Sequence, residues 1–145
     1  MVCCDALLNQ DIFAGVGNII KNEVLFRIGI HPLSLVDAIP KSKLAALIRE
    51  ARIYSFQFLE WKKAFELKKH WLVHRQRECP SGHGPLTIKH LGKTRRKSYY
   101  CERCQRRYGV LENEQSLVWD NKPTIRKAKG LSRKKTTAQK ASPRK

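Results

Sequence analysis

The chain has 145 residues, with 30 Lys and Arg against 12 Asp and Glu and a formal net charge of +18. That length holds one domain, or one small domain with a metal module, and a charge so far from neutral points to a polyanionic partner such as nucleic acid. No apolar run approaches the roughly 18–20 residues of a membrane-spanning helix, and the start, Met1-Val2-Cys3-Cys4-Asp5, has none of the features of a secretory signal.

Residues 3–30 read as two helices joined by a glycine-punctuated turn. Ala6, Leu7 and Leu8 end the first, and Asp11 to Gly17 breaks it. Asn18 opens the second, predicted over Ile19 to Arg27 with Ile20, Val24 and Ile28 four residues apart. Gly29 is placed to stop it, with Pro32 close behind. The bland role of Asn18 is a helix N-cap. A third helix is predicted from about Ser42 to Trp61, where Leu44, Leu47, Ile48, Ala51, Tyr54, Phe58 and Leu59 make one apolar stripe and Lys43, Arg49, Glu50 and Arg52 fall mostly opposite. That stripe reads as core. Residues 62–77 form a connector. Thr87 to His90 and Ser98 to Tyr100 are the strands of a hairpin, turned at Gly92 to Arg96. Tyr108 to Trp119 is apolar but unassigned. Residues 121–145 carry ten basic residues, no acidic one and no periodicity, and read as a disordered basic tail. The rest of the chain keeps a net charge of +8, so the body is basic in its own right.

Five cysteines is an odd number, and three have ligand-like spacing, which favours a metal over disulfides and a reducing compartment. Cys101-Glu-Arg-Cys104 presents two thiolates on a tight turn, and Cys79 supplies a third. His83 is the leading candidate for the fourth ligand, with His74 and His90 as rivals. Four protein ligands leave no open position, so one zinc ion here is expected to be structural, not hydrolytic. It also helps a small core hold together.

Lys93 to Lys97 packs four basic residues into five positions. On a mobile surface that would be a solvated face. On a metal-pinned hairpin, Arg95 and Arg96 become probes for phosphate or a groove. Gly15, Gly17 and Asn18 offer a second contact, because backbone N–H groups at a helix start bind phosphate and glycine lets the backbone come close.

Leu7-Leu-Asn-Gln-Asp-Ile-Phe-Ala-Gly-Val-Gly-Asn-Ile-Ile-Lys-Asn-Glu23, continued to Pro32, resembles the helix–two-turn–helix motif of the formamidopyrimidine-DNA glycosylase / endonuclease VIII family. Arg96-Lys-Ser-Tyr-Tyr-Cys-Glu-Arg-Cys-Gln105 resembles the close of that family's zinc finger, and the two motifs stand in the family's order. The resemblance covers roughly residues 3–108. Its finger is similar to the Cys-x3-His variant of some endonuclease VIII-like members. The fold expected is therefore mainly α with a small β zinc-finger hairpin: a helix–two-turn–helix domain over 1–70, a zinc finger over 71–110, and an extension over 111–145.

The resemblance implies that Asn18 binds the phosphate beside a lesion and that Lys21, one turn on, is a further backbone contact. It implies that Arg96 is the finger arginine on the phosphates flanking an extruded nucleotide. The expected partner is double-stranded DNA carrying damaged bases or abasic sites. Family enzymes begin with a β-rich catalytic domain whose terminal proline amine attacks the sugar, beside a glutamate. This chain begins Met1-Val2-Cys3-Cys4, so it is expected to be the DNA-binding half, either a fragment or the companion of a separate catalytic domain, and inactive in base excision alone. A monomer is expected, away from membranes, nucleoid-associated in a bacterial cytoplasm or nuclear in a eukaryote. Two other readings compete: a stand-alone, non-enzymatic zinc protein on DNA, and a zinc-ribbon RNA-binding protein.

Overall fold

A computed structural model of the chain describes residues 1–119. Cys3–Leu8 form α1, and the loop that follows is held by its own side chains. Gln10 Oε1 accepts from the Gly15 N–H (3.0 Å) and Gln10 Nε2 donates to the Val16 carbonyl (3.0 Å). The loop delivers α2, Asn18–Ile28. Gly29 ends it in the left-handed region (φ 70°), its N–H turned back to the carbonyls of Leu25 and Phe26. A side chain at Gly29 would also press on the Cys104 carbonyl, so glycine is required there twice over.

α2 is covered on more than its apolar stripe. Ile20, Val24 and Leu25 are buried, but so are Lys21, Asn22 and Glu23. The reason is position: α3, Lys41–Lys63, packs on one side and the hairpin on the other. α3 buries Leu47, Ala51 and Tyr54, with Leu44, Phe58 and Trp61 partly covered. Ile48 and Leu59 remain 58% and 47% exposed, which narrows the expected stripe. Each lies one residue, hence about 100°, from the row that faces the core.

β1, Thr87–Leu91, pairs antiparallel with β2, Arg96–Tyr100, from Thr87↔Tyr100 to Leu91↔Arg96. The expected two-stranded hairpin has a third strand. β3, Val118–Trp119, pairs with β1 through His90↔Trp119 and Leu91↔Val118, in the order β2-β1-β3. The unassigned segment 108–119 thus packs back onto the fold. Leu91 and Tyr100 of the hairpin share the main core with Leu7, Val24, Ile30 and Tyr54, while Val73, Cys79, Leu86, Tyr99 and Cys101 form a second, smaller cluster. Helices and sheet meet along a zipped seam, where the N–H of His31 donates to the Arg106 carbonyl (2.9 Å) and that of Leu35 to the Tyr108 carbonyl (2.8 Å). No helix among the described residues is long and apolar enough to cross a membrane. The tail expected to be disordered, 121–145, lies outside the described residues.

Candidate nucleic-acid interface and metal centre

Cys79, His83, Cys101 and Cys104 converge, with all four candidate ligand atoms within 4.8 Å of one another. Cys79 Sγ stands 3.5 Å from Cys104 Sγ, and His83 Nδ1 stands 3.1 Å from Cys104 Sγ and 3.6 Å from the sulfurs of Cys79 and Cys101. Zinc–sulfur bonds of about 2.3 Å put tetrahedral edges near 3.8 Å, so the set fits a four-coordinate ion of zinc's size. His83 is the fourth member; the rivals stand elsewhere. His74 Nδ1 accepts from Asn22 Nδ2 (3.1 Å), and His90 lies on β1. Cys3 and Cys4 are buried at the other end of the chain, and burial pushes both thiols up to about 12, so they are packing groups. No local spacing marks Gln105 for a structural role. Its Oε1 accepts from the Cys101 N–H (2.9 Å) and its Nε2 donates to the Ile30 carbonyl (3.0 Å), fastening the metal knuckle to the end of α2.

Gly17 and Asn18 at the start of α2, Arg96 and Lys97 at the start of β2, and His74 and Arg75 from the connector line one open cleft of about 540 Å³. Among the described residues, no acidic side chain lines it. Gly17, not Asn18, is the N-cap residue, and no side chain caps the helix. The first-turn N–H groups are thus left without a side-chain cap beside the cleft, as an anion site requires. The Asn18 side chain crosses instead to the hairpin: its Nδ2 donates to the Lys97 carbonyl (3.0 Å), while its buried Oδ1 has no partner among the described residues. Asn22 Nδ2 approaches the same carbonyl (3.3 Å). Two asparagines of α2 thus hold β2 against the helix, at a sequence distance of 75–79 residues.

Lys21 is placed differently from expectation. It is fully buried, its Nζ donating to Ser98 Oγ at 2.7 Å, and so does not present its ammonium to a phosphate. Burial lowers its pKa to about 8, with Arg96 nearby adding to the effect. Glu23 is equally buried. Its Oε1 accepts the N–H groups of Val73 (2.9 Å) and His74 (2.8 Å) and its Oε2 that of Leu72 (2.9 Å). That carboxylate fixes the stretch carrying His74 and Arg75 to α2. Arg95 does not line the cleft. It adopts a left-handed backbone (φ 51°) and lays its guanidinium over the Trp119 ring, 3.6 Å from the centroid. Trp119 Nε1 donates to the Gly92 carbonyl (3.1 Å), and the Asp5 carboxylate of α1 accepts the Lys93 N–H (3.0 Å). A Cβ on Gly92 would collide with that carboxylate. The hairpin tip is therefore gripped from both flanks.

Residues 3–57 match the family model described as the formamidopyrimidine-DNA glycosylase H2TH domain. The chain is 35% identical over 122 residues to endonuclease 8-like 3 of Mus musculus, covering 83% of this chain and 19% of that protein. It is 36% identical over 115 residues to endonuclease 8-like 2 of Bos taurus, covering 77% of this chain and 34% of that protein. Among solved structures, a viral DNA glycosylase superposes with a TM-score of 0.65 at 28% identity, over 72% of this chain and 40% of its own. Lactococcus lactis formamidopyrimidine-DNA glycosylase, non-covalently bound to DNA containing an abasic site, superposes with a TM-score of 0.66 at 20% identity, over 73% of this chain and 41% of its own, and shows the shared fold.

Proposed function

We propose, on the premise that residues 3–57 are an H2TH domain of the formamidopyrimidine-DNA glycosylase family, that this chain is the DNA-gripping half of a base-excision repair glycosylase and abasic-site lyase. In this reading the chain binds duplex DNA at damaged bases and abasic sites, as a monomer. The base-removing chemistry belongs to a separate catalytic domain; the chain spans only 19% and 34% of the length of the two relatives above.

One observation carries the reading: the helix start at Gly17–Asn18 and the hairpin residues Arg96 and Lys97 line a single cleft that no acidic side chain among the described residues lines. The main-chain N–H groups of the first turn donate to one phosphate. Arg96 takes another by bidentate hydrogen bonding, and Lys97 and Arg75 add charge. Extruding a nucleotide costs a few kcal/mol in unstacking, and a rigid grip on the flanking backbone offsets part of it. Cys79, His83, Cys101 and Cys104 would hold one structural zinc, whose chemistry is to fix the hairpin that carries Arg96.

The test compares affinities for a duplex with a tetrahydrofuran abasic analogue, the intact duplex and a structured RNA at one salt concentration. The abasic duplex is expected to bind tightest. Arg96→Ala should weaken it with metal content unchanged and lower the salt slope by about one. Equal affinity for all three would mean that charge alone drives binding. Borohydride trapping on an abasic duplex should leave no covalent adduct with this chain alone; an adduct would move the lyase step into it.

A further inference from the structure

A second concavity opens between the loop after α1 and the solvent side of α3, with a volume of about 380 Å³. Val16 and Ala51 are buried at its floor. Ile12, Ile48 and Phe56 form its rim and stand 54%, 58% and 63% exposed. Monomeric proteins seldom gather large apolar groups in water without a use for them. The row continues along the helix. Ile48, Arg52, Ser55 and Leu59 follow at steps of four, three and four, which is one face of a helix. Ser55 spends its hydroxyl on the Ala51 carbonyl (2.7 Å), so it offers the groove no free donor.

The wall opposite α3 is held in place. The N–H of Phe13 donates to the Asn9 carbonyl (2.8 Å), that of Asp11 to Asn9 Oδ1 (2.9 Å), and Gln10 clamps the loop at Gly15 and Val16. Ile12 is therefore presented by a braced loop, and a preformed surface loses little entropy on docking. The same loop borders both concavities. Gly15 and Gly17 line the cleft, while Ala14 and Val16 line the groove. On α3, Phe58 lines the cleft and Phe56, two residues or about 200° away, lines the groove.

Charge selects the occupant. Arg52 is the one charged side chain lining the groove among the described residues, and Arg49 stands exposed next to Ile48. Neither has an ion pair among the described residues. A second copy would bring a chain of +18 against its like. The chain's own residues 121–145 carry the same sign. Nucleic acid has the right sign, but its outer surface is phosphate, and these walls are hydrocarbon. We propose that the groove docks an acidic amphipathic helix of a partner protein. The apolar face of that helix enters between Ile12 and Phe56, and its carboxylates pair with Arg49 and Arg52. This docking goes beyond the phosphate grip and does not depend on it. DNA and partner are held at the same time, on two flanks of one loop.

The test uses the full 145-residue chain and labelled peptides of about 18 residues, long enough to be helical. One carries leucines at helical spacing with glutamates on the other face. A second scrambles that composition, keeping the charge and losing the face. A third replaces every glutamate with lysine. The first should bind in fluorescence anisotropy at physiological salt, and the other two should bind at least about tenfold more weakly. Ile48→Ser and Phe56→Ser, both at exposed positions, should each weaken the first peptide about tenfold with Tm unchanged. Arg52→Glu should shift the preference toward the lysine peptide. A saturating tetrahydrofuran duplex should leave the peptide bound. The proposal is overturned if the scrambled peptide binds equally, if the duplex displaces the peptide, or if the serine variants bind it like the parent. Two other results assign the groove to a different occupant and overturn it too: a dimer in sedimentation that Phe56→Ser dissociates, or binding to phosphatidylserine vesicles that Phe56→Ser abolishes while no peptide binds. Failure of the cleft reading shows separately, as an Arg96→Ala chain that holds the abasic duplex like the parent.

Discussion

Lys21, Asn22 and Glu23 are three consecutive polar residues of a helix, and all three are buried. Each is satisfied by a group far along the chain, so none is an idle core defect. Glu23 has the sharpest consequence. Its two oxygens accept three main-chain N–H groups, and an amide in its place would turn a donor toward donors. Glu23→Gln is expected to cost about 2–3 kcal/mol in urea unfolding and to loosen the stretch carrying His74 and Arg75. His74 supplies a pH dependence. Burial, with Arg75 and Lys21 nearby, lowers its pKa to about 4, against about 6.5 when unfolded. The folded state keeps it neutral where the unfolded chain takes a proton, so its contribution is whole above pH 6.5 and is lost as pH falls toward 4. Unfolding free energies between pH 7 and 5, with metal content followed, should decline, and His74→Gln should decline less steeply. A slope unchanged by the substitution would remove His74 from that account.

The β1–β2 hairpin shows how an element acquires rigidity that its own two strands do not supply. A two-stranded hairpin is marginal in water. This one has a four-residue group that could hold a metal at its base, and is held along β2 by the asparagines of α2 and at its tip by Asp5 and Trp119. Trp119 stands only two residues from the start of the basic tail, and nothing in its local pattern marks it as a strand. Trp119→Ala removes the platform under Arg95 and the hydrogen bond to Gly92, and is expected to cost about 1–2 kcal/mol of stability. Abasic-duplex affinity should fall while metal stoichiometry holds. Trp119→Phe, which retains a ring under the guanidinium, should recover part of the loss. If both variants bind DNA like the parent, the third strand does not shape the interface.

Across the molecule, the finger is no appendage. Leu91 and Tyr100 belong to the same core as α1, α2 and α3, and residues 106–108 are zipped to the segment after α2. Removing the metal should therefore lower the stability of the helices too. Chelation, or Cys101→Ser, is expected to release one ion per chain and to shift the far-ultraviolet thermal transition downward as one cooperative step. It should also erase the preference for abasic over intact duplex. Two separate transitions would instead mean that the finger and the helical domain fold independently, as the division at residue 70 implies.

The sequence alone determined what is written in nearest neighbours and short spacings. The Gly29 stop, the α3 stripe, the hairpin strands, the Cys101–Cys104 turn and the run from Leu7 to Pro32 are all local signals, each decided by steric limits or ligand reach over a few residues. Tertiary structure decided which polar groups face inward and which arginine faces the cleft. The partners of Asn18, Lys21, Glu23 and Asp5 lie 79, 77, 51 and 88 residues away. Helical periodicity places a lysine or a glutamate on a side of its helix, but what packs against that side is set by chain segments whose approach no local pattern encodes. The same holds for Arg95 and Arg96, adjacent and chemically alike: the strand that puts tryptophan under one of them is formed by residues more than twenty positions downstream.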